Sequence, residues 1–215
     1  SHGADALRLY ILFMAPPSDG VDWNDGGIEG TKRFLNKLWD NLFQIIEFEI
    51  DENNSDESGS EIERQLNQAI ESITNHLEKF EFNTAVSDLM ILNNNLSSYL
   101  NNAEFISTNL KNQIIKYVSL LIYPLAPHFG SEIYNYYFKE EISKEEWPKS
   151  NKEKLTNPRY ELVIQINGKK KNAIEVDRGI TQEEAEEICK TQFKIEVNKA
   201  KKVIFLQDKL INIVI

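Results

Sequence analysis

Apolar side chains recur along the first two thirds of the chain at the three- and four-residue steps of a helix, and along the last quarter in short runs bounded by turn residues. Ile28, Leu35, Leu38, Leu42 and Ile45, widened by Phe34, Trp39 and Ile46, form one helical stripe. Ile62, Leu66, Ile70, Ile73 and Leu77 form a second, Ala85, Val86, Leu89, Leu96 and Tyr99 a third, and Leu110, Ile114, Val118 and Leu121 a fourth. Asn83 is placed to cap the third. Pro127 suits the first turn of a further helix, PHFGSEIYNYYF. Four or five amphipathic helices with short connections predict a bundle. Ahead of them ADALRLYILFM, residues 4–14, is apolar on nearly every side, which suits a helix buried on most faces and stopped by Pro16 and Pro17.

Residues 51–60, DENNSDESGS, hold no hydrophobic side chain and predict a mobile connection. The stretch from 145 to 158 has no period, two prolines and several charges, and a domain boundary is expected there. Beyond it the pattern is that of strands. YELVIQI and KKKNAIEV flank Asn167 and Gly168, a dipeptide that favours a two-residue hairpin turn. ITQEEAEEICKTQ reads as a helix with capping-box spacing at Thr181 and Glu184, and KKVIFLQDKLINIVI as two more strands. The predicted order of this part is ββαββ.

The net charge of −10 is unevenly spread. From Pro158 onward there are 11 basic and 9 acidic residues; before it, 13 basic and 25 acidic. Indiscriminate nucleic-acid binding by the acidic part is thereby disfavoured. Lys169, Lys170 and Lys171 follow the hairpin turn, and Lys199, Lys201 and Lys202 precede the third strand, so the two groups are candidates for one basic face. Alternation lets at most two of the first three point the same way. The same lysines also serve to keep an edge strand from pairing with another chain. Arg33 and Lys37 are weaker candidates, because exposed helix faces ordinarily carry such charges.

Catalytic signatures are missing. There is no HExxH, CxxC pair, GxxxxGK[ST] or strand-led GxGxxG. His76 reads as a packed or half-exposed side chain and His128 as the hydrogen-bond partner of a nearby loop. The single cysteine, Cys189, fits a reducing compartment and lacks a neighbouring histidine.

Several segments together resemble the C-terminal part of bacterial-type leucyl-tRNA synthetases, which are class I enzymes. GADALRLYILFMAPPSDGVDW is similar to the segment that leaves the catalytic core, GIEGTKRFLNKLW to the first helix of the tRNA-binding bundle, and FEFNTAVSDLM, YPLAPHFGSEIY and EEWP to its later parts. INGKKKNAIEV and KKVIFLQDKLINIVI resemble the small C-terminal domain. The resemblance implies an α plus α+β architecture: a helical bundle of the class I synthetase tRNA-binding (anticodon-binding) type, then a small ββαββ domain. The expected division is a tail of the catalytic-core region at 1–22, the bundle at 23–148, a linker at 149–159 and the small domain at 160–215.

It also implies a piece of a longer cytoplasmic ligase, with no membrane contact, that positions tRNA(Leu) for a catalytic core in the same polypeptide. The HIGH and KMSKS signatures are not in this sequence, so the piece itself is expected to be inactive, to need no cofactor, and to leave ATP and magnesium to the parent enzyme. Leu7, Ile11, Phe13 and Met14 are expected to face that core. Two other uses remain open: a protein–protein interaction module, and the same region of another class I synthetase.

Overall fold

A computed structural model describes residues 3–15, 20, 24–52, 57–155, 159–195, 197 and 200–214, without the side chains of Asp25, Glu57 and Ser58. Two compact units divide between Leu155 and Thr156. Among the described residues the first holds six α-helices: α1 Ala4–Met14, α2 Asp25–Glu47, α3 Glu57–Glu78, α4 Phe82–Asn102, α5 Thr108–Ile122 and α6 Pro127–Phe138. The second holds β1 Arg159–Ile166, β2 Lys169–Asp177, α7 Gln182–Thr191, β3 Lys202–Leu206 and β4 Leu210–Val214. A helical bundle followed by a small ββαββ unit, as the patterning predicted, is the architecture observed.

The predicted stripes form one core. Leu38, Leu42 and Ile45 of α2 are essentially inaccessible, as are Leu66, Ile73, Leu96 and Ile114 on the neighbouring helices. Each such side chain contributes about 1.5–3 kcal/mol when removed from water. Helix α1 joins this core through Ala6, Leu9 and Tyr10, so it packs with the bundle. The Tyr10 hydroxyl donates to the Asn24 carbonyl at 2.6 Å and accepts from the Asn24 N–H at 3.1 Å, and its ring lies against Gly27, where a Cβ would stand 2.2 Å from it. Leu7, Ile11 and Phe13 are 39, 55 and 37% exposed, so α1 is buried along one face and not on most of them. Met14 packs against the core. Pro16 and Pro17 lie outside the described residues, but Ala15 is already extended, as a residue before proline must be.

Two local expectations are corrected. Asn83 is not a cap: α4 starts at Phe82, Glu81 occupies the capping position without a side-chain bond, and the Asn83 amide oxygen is buried with no partner among the described residues. The cap is Glu81 because its own carbonyl already accepts the Thr84 and Ala85 N–H groups, one turn earlier than the apolar stripe shows. Residues 57–60, placed in a loop on composition, belong to α3, where their polarity costs little because most helical stability comes from the buried face that follows. Helix α2 begins at Asp25, capped by the Asn24 side chain on the Gly26 N–H at 2.9 Å, so Gly26 and Gly27 lie inside its first turn.

Polar groups link the helices at specific points. Lys111 of α5 is 4% exposed, and its ammonium donates to the carbonyls of Ile46 and Phe48, each at 2.8 Å. It thereby satisfies carbonyls that the end of α2 leaves without intrahelical partners and complements the negative end of the helix dipole. Burial lowers the Lys111 pKa. Asn41 of α2 donates to the Asn93 carbonyl and side chain and to the Ser97 hydroxyl of α4, at 2.6–3.1 Å. Asp5 of α1 accepts from the Phe129 N–H at 2.7 Å and meets His128 Nδ1 at 2.9 Å, capping α6 from another helix. His128 therefore pairs with the first turn of α1 and not with a loop.

The segment after α6 returns along α3. Trp147 donates to Thr74 at 2.8 Å, the Asn151 N–H to Asn67 at 2.7 Å, and Lys154 pairs with Glu63. Part of the stretch expected to be a linker, 149–155, is thus packed on the bundle. Glu145 accepts from the Tyr134 hydroxyl and pairs with Lys116 at 2.5 Å. The Lys116 hydrogen bond, and then that of Tyr134, hold its carboxyl below the usual glutamate range.

In the second unit the sheet order is β2-β1-β4-β3, with β1 and β4 parallel at the centre and antiparallel pairs outside. Asn167 and Gly168, at φ 49° and 77°, make the predicted turn. Leu162, Ile164, Ile211 and Ile213 face Ala185 and Cys189 of α7. Thr181 and Glu184 form the predicted capping box.

Replacing Lys111 by alanine is expected to cost about 2–3 kcal/mol, because two carbonyls lose their donor. Lys111→Met, which keeps the buried stem, is expected to cost less; equal losses in urea unfolding would assign the effect to the two lost hydrogen bonds alone. A lowered folded pKa means that Glu145 contributes stability above its unfolded pKa, about 4.3, and loses it as pH falls through the folded value. The gap in urea midpoint between wild type and Glu145→Gln should therefore shrink from pH 6 to pH 3, and a constant gap would refute the charge pairing.

Candidate nucleic-acid interface

Strand alternation sorts the small sheet into two faces. On β1, Tyr160, Leu162 and Ile164 point to the buried side, so Glu161, Val163 and Gln165 occupy the outer one. Register carries this across the sheet. Val163 pairs with Ala173 and Leu210, Gln165 with Lys170 and Asn212, and on β3 Ile204 pairs with Asn212 and Leu206 with Leu210. The outer face is an apolar row of Ala173, Val163, Leu210 and Leu206, beside a polar row of Lys170, Gln165 and Asn212 that ends in Ile204. Helix α7 covers the opposite face of this unit.

The predicted lysines gather at the hairpin end. Lys169, Lys170, Lys171, Lys201 and Lys202 are all exposed, and Lys199 lies outside the described residues. The register shifts between Ile164 and Gln165, which pair with Asn172 and Lys170, leaving Lys171 as the extra residue of a bulge. Strict alternation through the three lysines is therefore broken by a feature that residue order does not reveal. Lys170 reaches Glu161 at 3.3 Å, across two exposed side chains, a pair that solvent screens to little. Among the described residues Lys169, Lys171, Lys201 and Lys202 make no ion pair.

Lys202 pairs with Val214 and so shares the outer face with Lys170. These two stand on opposite edge strands, three strand spacings or roughly 14 Å apart. The predicted single basic face is in this form a pair of basic edges flanking Gln165 and Asn212. The Asn212 side chain also accepts from the Gly168 N–H at 3.0 Å, which pins the turn to the centre of the sheet. Gln165 and Asn212 were not singled out in the sequence. Their place on this face follows from the parallel pairing of β1 with β4, for which the sequence carries no signal.

Arg33 and Lys37 belong to the other unit, on the exposed side of α2. Lys37 donates to the Asn94 side chain of α4 at 3.2 Å.

Nucleophilic chemistry finds no support in the helical unit's nearest grouping. Ser72 and His76 of α3 both bond the same oxygen of Asp88, at 2.6 and 2.8 Å, so the carboxylate stands between hydroxyl and imidazole and no base faces the serine. Among the described residues no three His, Cys, Asp or Glu side chains are grouped to hold a metal, and no helix is long and apolar enough to cross a membrane. Cys189 is fully buried, and burial, reinforced by Glu186, pushes its thiol up to about 11. The arrangement offers cations on a rigid small sheet, which suits contact with phosphates without base reading.

Comparison with known proteins identifies the family. Residues 60–188, more than half of the chain, match the family described as the anticodon-binding domain of tRNA ligase, a match that crosses the boundary between the two units. A leucine–tRNA ligase of Petrotoga mobilis is 41% identical over 230 residues, covering 100% of this chain and 28% of the relative. One of Thermotoga maritima is 34% identical over 227 residues, with 100% and 28% covered. The chain thus spans somewhat over a quarter of the length of these relatives. Among solved structures, a ternary complex of a leucyl-tRNA synthetase from Agrobacterium radiobacter with tRNA and LeuAMS matches with a TM-score of 0.71 and 25% identity, over 99% of this chain and 28% of that one.

A thiol so buried is expected to resist iodoacetamide at pH 8 in the folded chain and to react fully in urea. Rapid labelling of the folded chain would show that α7 leaves the sheet.

Proposed function

The chain belongs to the anticodon-binding-domain family of tRNA ligases, and on that footing we propose that it is the tRNA-binding portion of a leucine–tRNA ligase, orienting tRNA(Leu) for leucylation by the rest of the polypeptide. The observation that carries this reading is the alignment of the whole chain with leucine–tRNA ligases. The relatives' greater length leaves room for the catalytic part, and ATP and magnesium belong to that part; no residue of this chain is assigned to them.

In this reading the chain contributes binding energy and orientation. Holding the acceptor end against an activated amino acid turns a bimolecular encounter into a positioned one. The basic edges of the small sheet are the proposed contact: Lys169, Lys170, Lys171, Lys201 and Lys202, with Lys199 beside them in sequence, neutralise phosphates and release condensed counterions. Rigid strands hold the cations in a fixed pattern, which reads the shape of a folded RNA more than its base order. A cytoplasmic location follows from the same reading.

The test is a titration with a leucine tRNA and with a tRNA lacking a long variable arm, across a salt series, for wild type and for Lys169, Lys170 and Lys171 all changed to alanine. Wild type is expected to prefer the leucine tRNA, and the triple variant to flatten the log–log salt slope by about one to two units. Absence of binding to either tRNA at low salt would favour a protein-interaction module, and preference for another tRNA would indicate a different class I synthetase.

A further inference from the structure

The tip of the β1–β2 hairpin holds the only Asn–Gly pair in the sequence, Asn167 and Gly168. The turn favours this dipeptide, since both residues take positive φ, 49° and 77°. The same pair is the one most open to loss of ammonia from an asparagine side chain, because glycine has no Cβ to shield its own nitrogen. Both residues are exposed, so water and base reach them. Lys169, Lys170 and Lys171 follow directly, and nearby cations lower the cost of an anionic amide nitrogen.

Two features of the fold oppose the reaction. The Gly168 nitrogen would have to act as the nucleophile, yet its N–H donates to the Asn212 side-chain oxygen of β4 at 3.0 Å. The Asn167 N–H donates to the Ile213 carbonyl of the same strand, also at 3.0 Å, so both turn residues are tied to the centre of the sheet. Backbone shape is the second feature. Ring closure needs the Asn167 Cβ and the Gly168 nitrogen nearly eclipsed about the Cα–C bond. Positive φ at both positions makes the turn type I′, in which the first central residue has ψ of about +30° and those two atoms stand almost opposite each other. A closed turn therefore holds apart two groups that the sequence places side by side.

We infer that Asn167 is a deamidation site gated by the hairpin turn, with Asn212 as the positioning residue that keeps the gate shut. When the turn opens, the Gly168 nitrogen gives its proton to solvent base and attacks Asn167 Cγ. A C–N bond forms, the Cγ–Nδ2 bond breaks, and ammonia leaves with a proton taken from water. Water then opens the resulting succinimide at one of its two carbonyls, giving aspartate or isoaspartate, and nothing is oxidised or reduced. Either product puts a carboxylate beside the three lysines. Isoaspartate also adds a carbon to the main chain, which a two-residue turn in this register cannot absorb.

The full 215-residue chain, held at pH 8 and then digested, tests this by mass spectrometry at residue 167, with isoaspartate detected by enzymatic methylation. Wild type is expected to convert at least about tenfold faster in urea than when folded, since the turn no longer has to open. Folded Asn212→Ala is expected to convert about fivefold faster than folded wild type, the factor that loss of one ordinary hydrogen bond gives, and at the wild-type rate in urea. Equality in urea separates the effect of the fold from the intrinsic chemistry of the dipeptide. Hydrogen exchange of the Gly168 amide needs no variant and should be slowed about fivefold or more relative to the unfolded chain. No conversion at 167 in urea would remove the site, and equal rates in the two states would remove the gate. A variant no faster than wild type, or an unprotected Gly168 amide, would deprive Asn212 of this role. Labelling of Cys189 reports whether the variant's small unit stays folded, and if it does not, exchange at Gly168 decides.

Discussion

The helical unit depends on what α2 must bury. Its apolar stripe needs cover on several sides at once, and α1, α4, α5 and α6 supply it. Length compounds the demand: 23 residues bring the end of α2 back under α5, where terminal carbonyls would be sealed from water without donors. The Lys111 ammonium answers this with two hydrogen bonds, in a place where an apolar residue would leave both acceptors unsatisfied. Asn41 does the same kind of work midway along the helix, tying α2 to α4 through side chains whose geometry admits one register. Hydrophobic burial gathers these helices, and the polar links fix how far each may slide.

The second unit solves its problem differently. With about 60 residues it has little apolar surface to bury, and it places β1 and β4 side by side in parallel so that the two strands with the most buried apolar side chains share the face under α7. Hairpin strands β2 and β3 are left as edges, and both carry lysines. Edge lysines discourage pairing with other chains and at the same time present charge to solvent. Protection of the edge and attraction of phosphate are thus served by the same side chains. Their effect on RNA is what separates the two.

Charge is unevenly distributed between the two units. A chain with 34 acidic residues repels a polyanion over most of its surface, and that repulsion confines contact to the places where cations are concentrated. The basic edges of the sheet are the place proposed for such contact. Confinement of this kind gives orientation, since an RNA that fits few places is held in few poses. The family match runs from α3 into α7, across both units.

Residue order by itself determined the kind and sequence of the elements, because period and turn chemistry are local. The stripes of α2 to α5, the proline at the start of α6, the Asn167–Gly168 turn and the Thr181 capping box act over a few residues and appear where the pattern placed them. Composition misled at 57–60, where a polar run reads as loop yet is the first turn of a helix whose burial begins later. Tertiary structure alone decided the rest: that α1 buries one face in the bundle, that His128 meets Asp5 across 123 positions, and that a bulge at Lys171 interrupts the lysine row. It also decided that Gln165 and Asn212 share a face. These are relations between residues far apart in the chain. They follow from which surfaces must be buried together, and that is settled by packing in three dimensions, not by any short stretch of sequence.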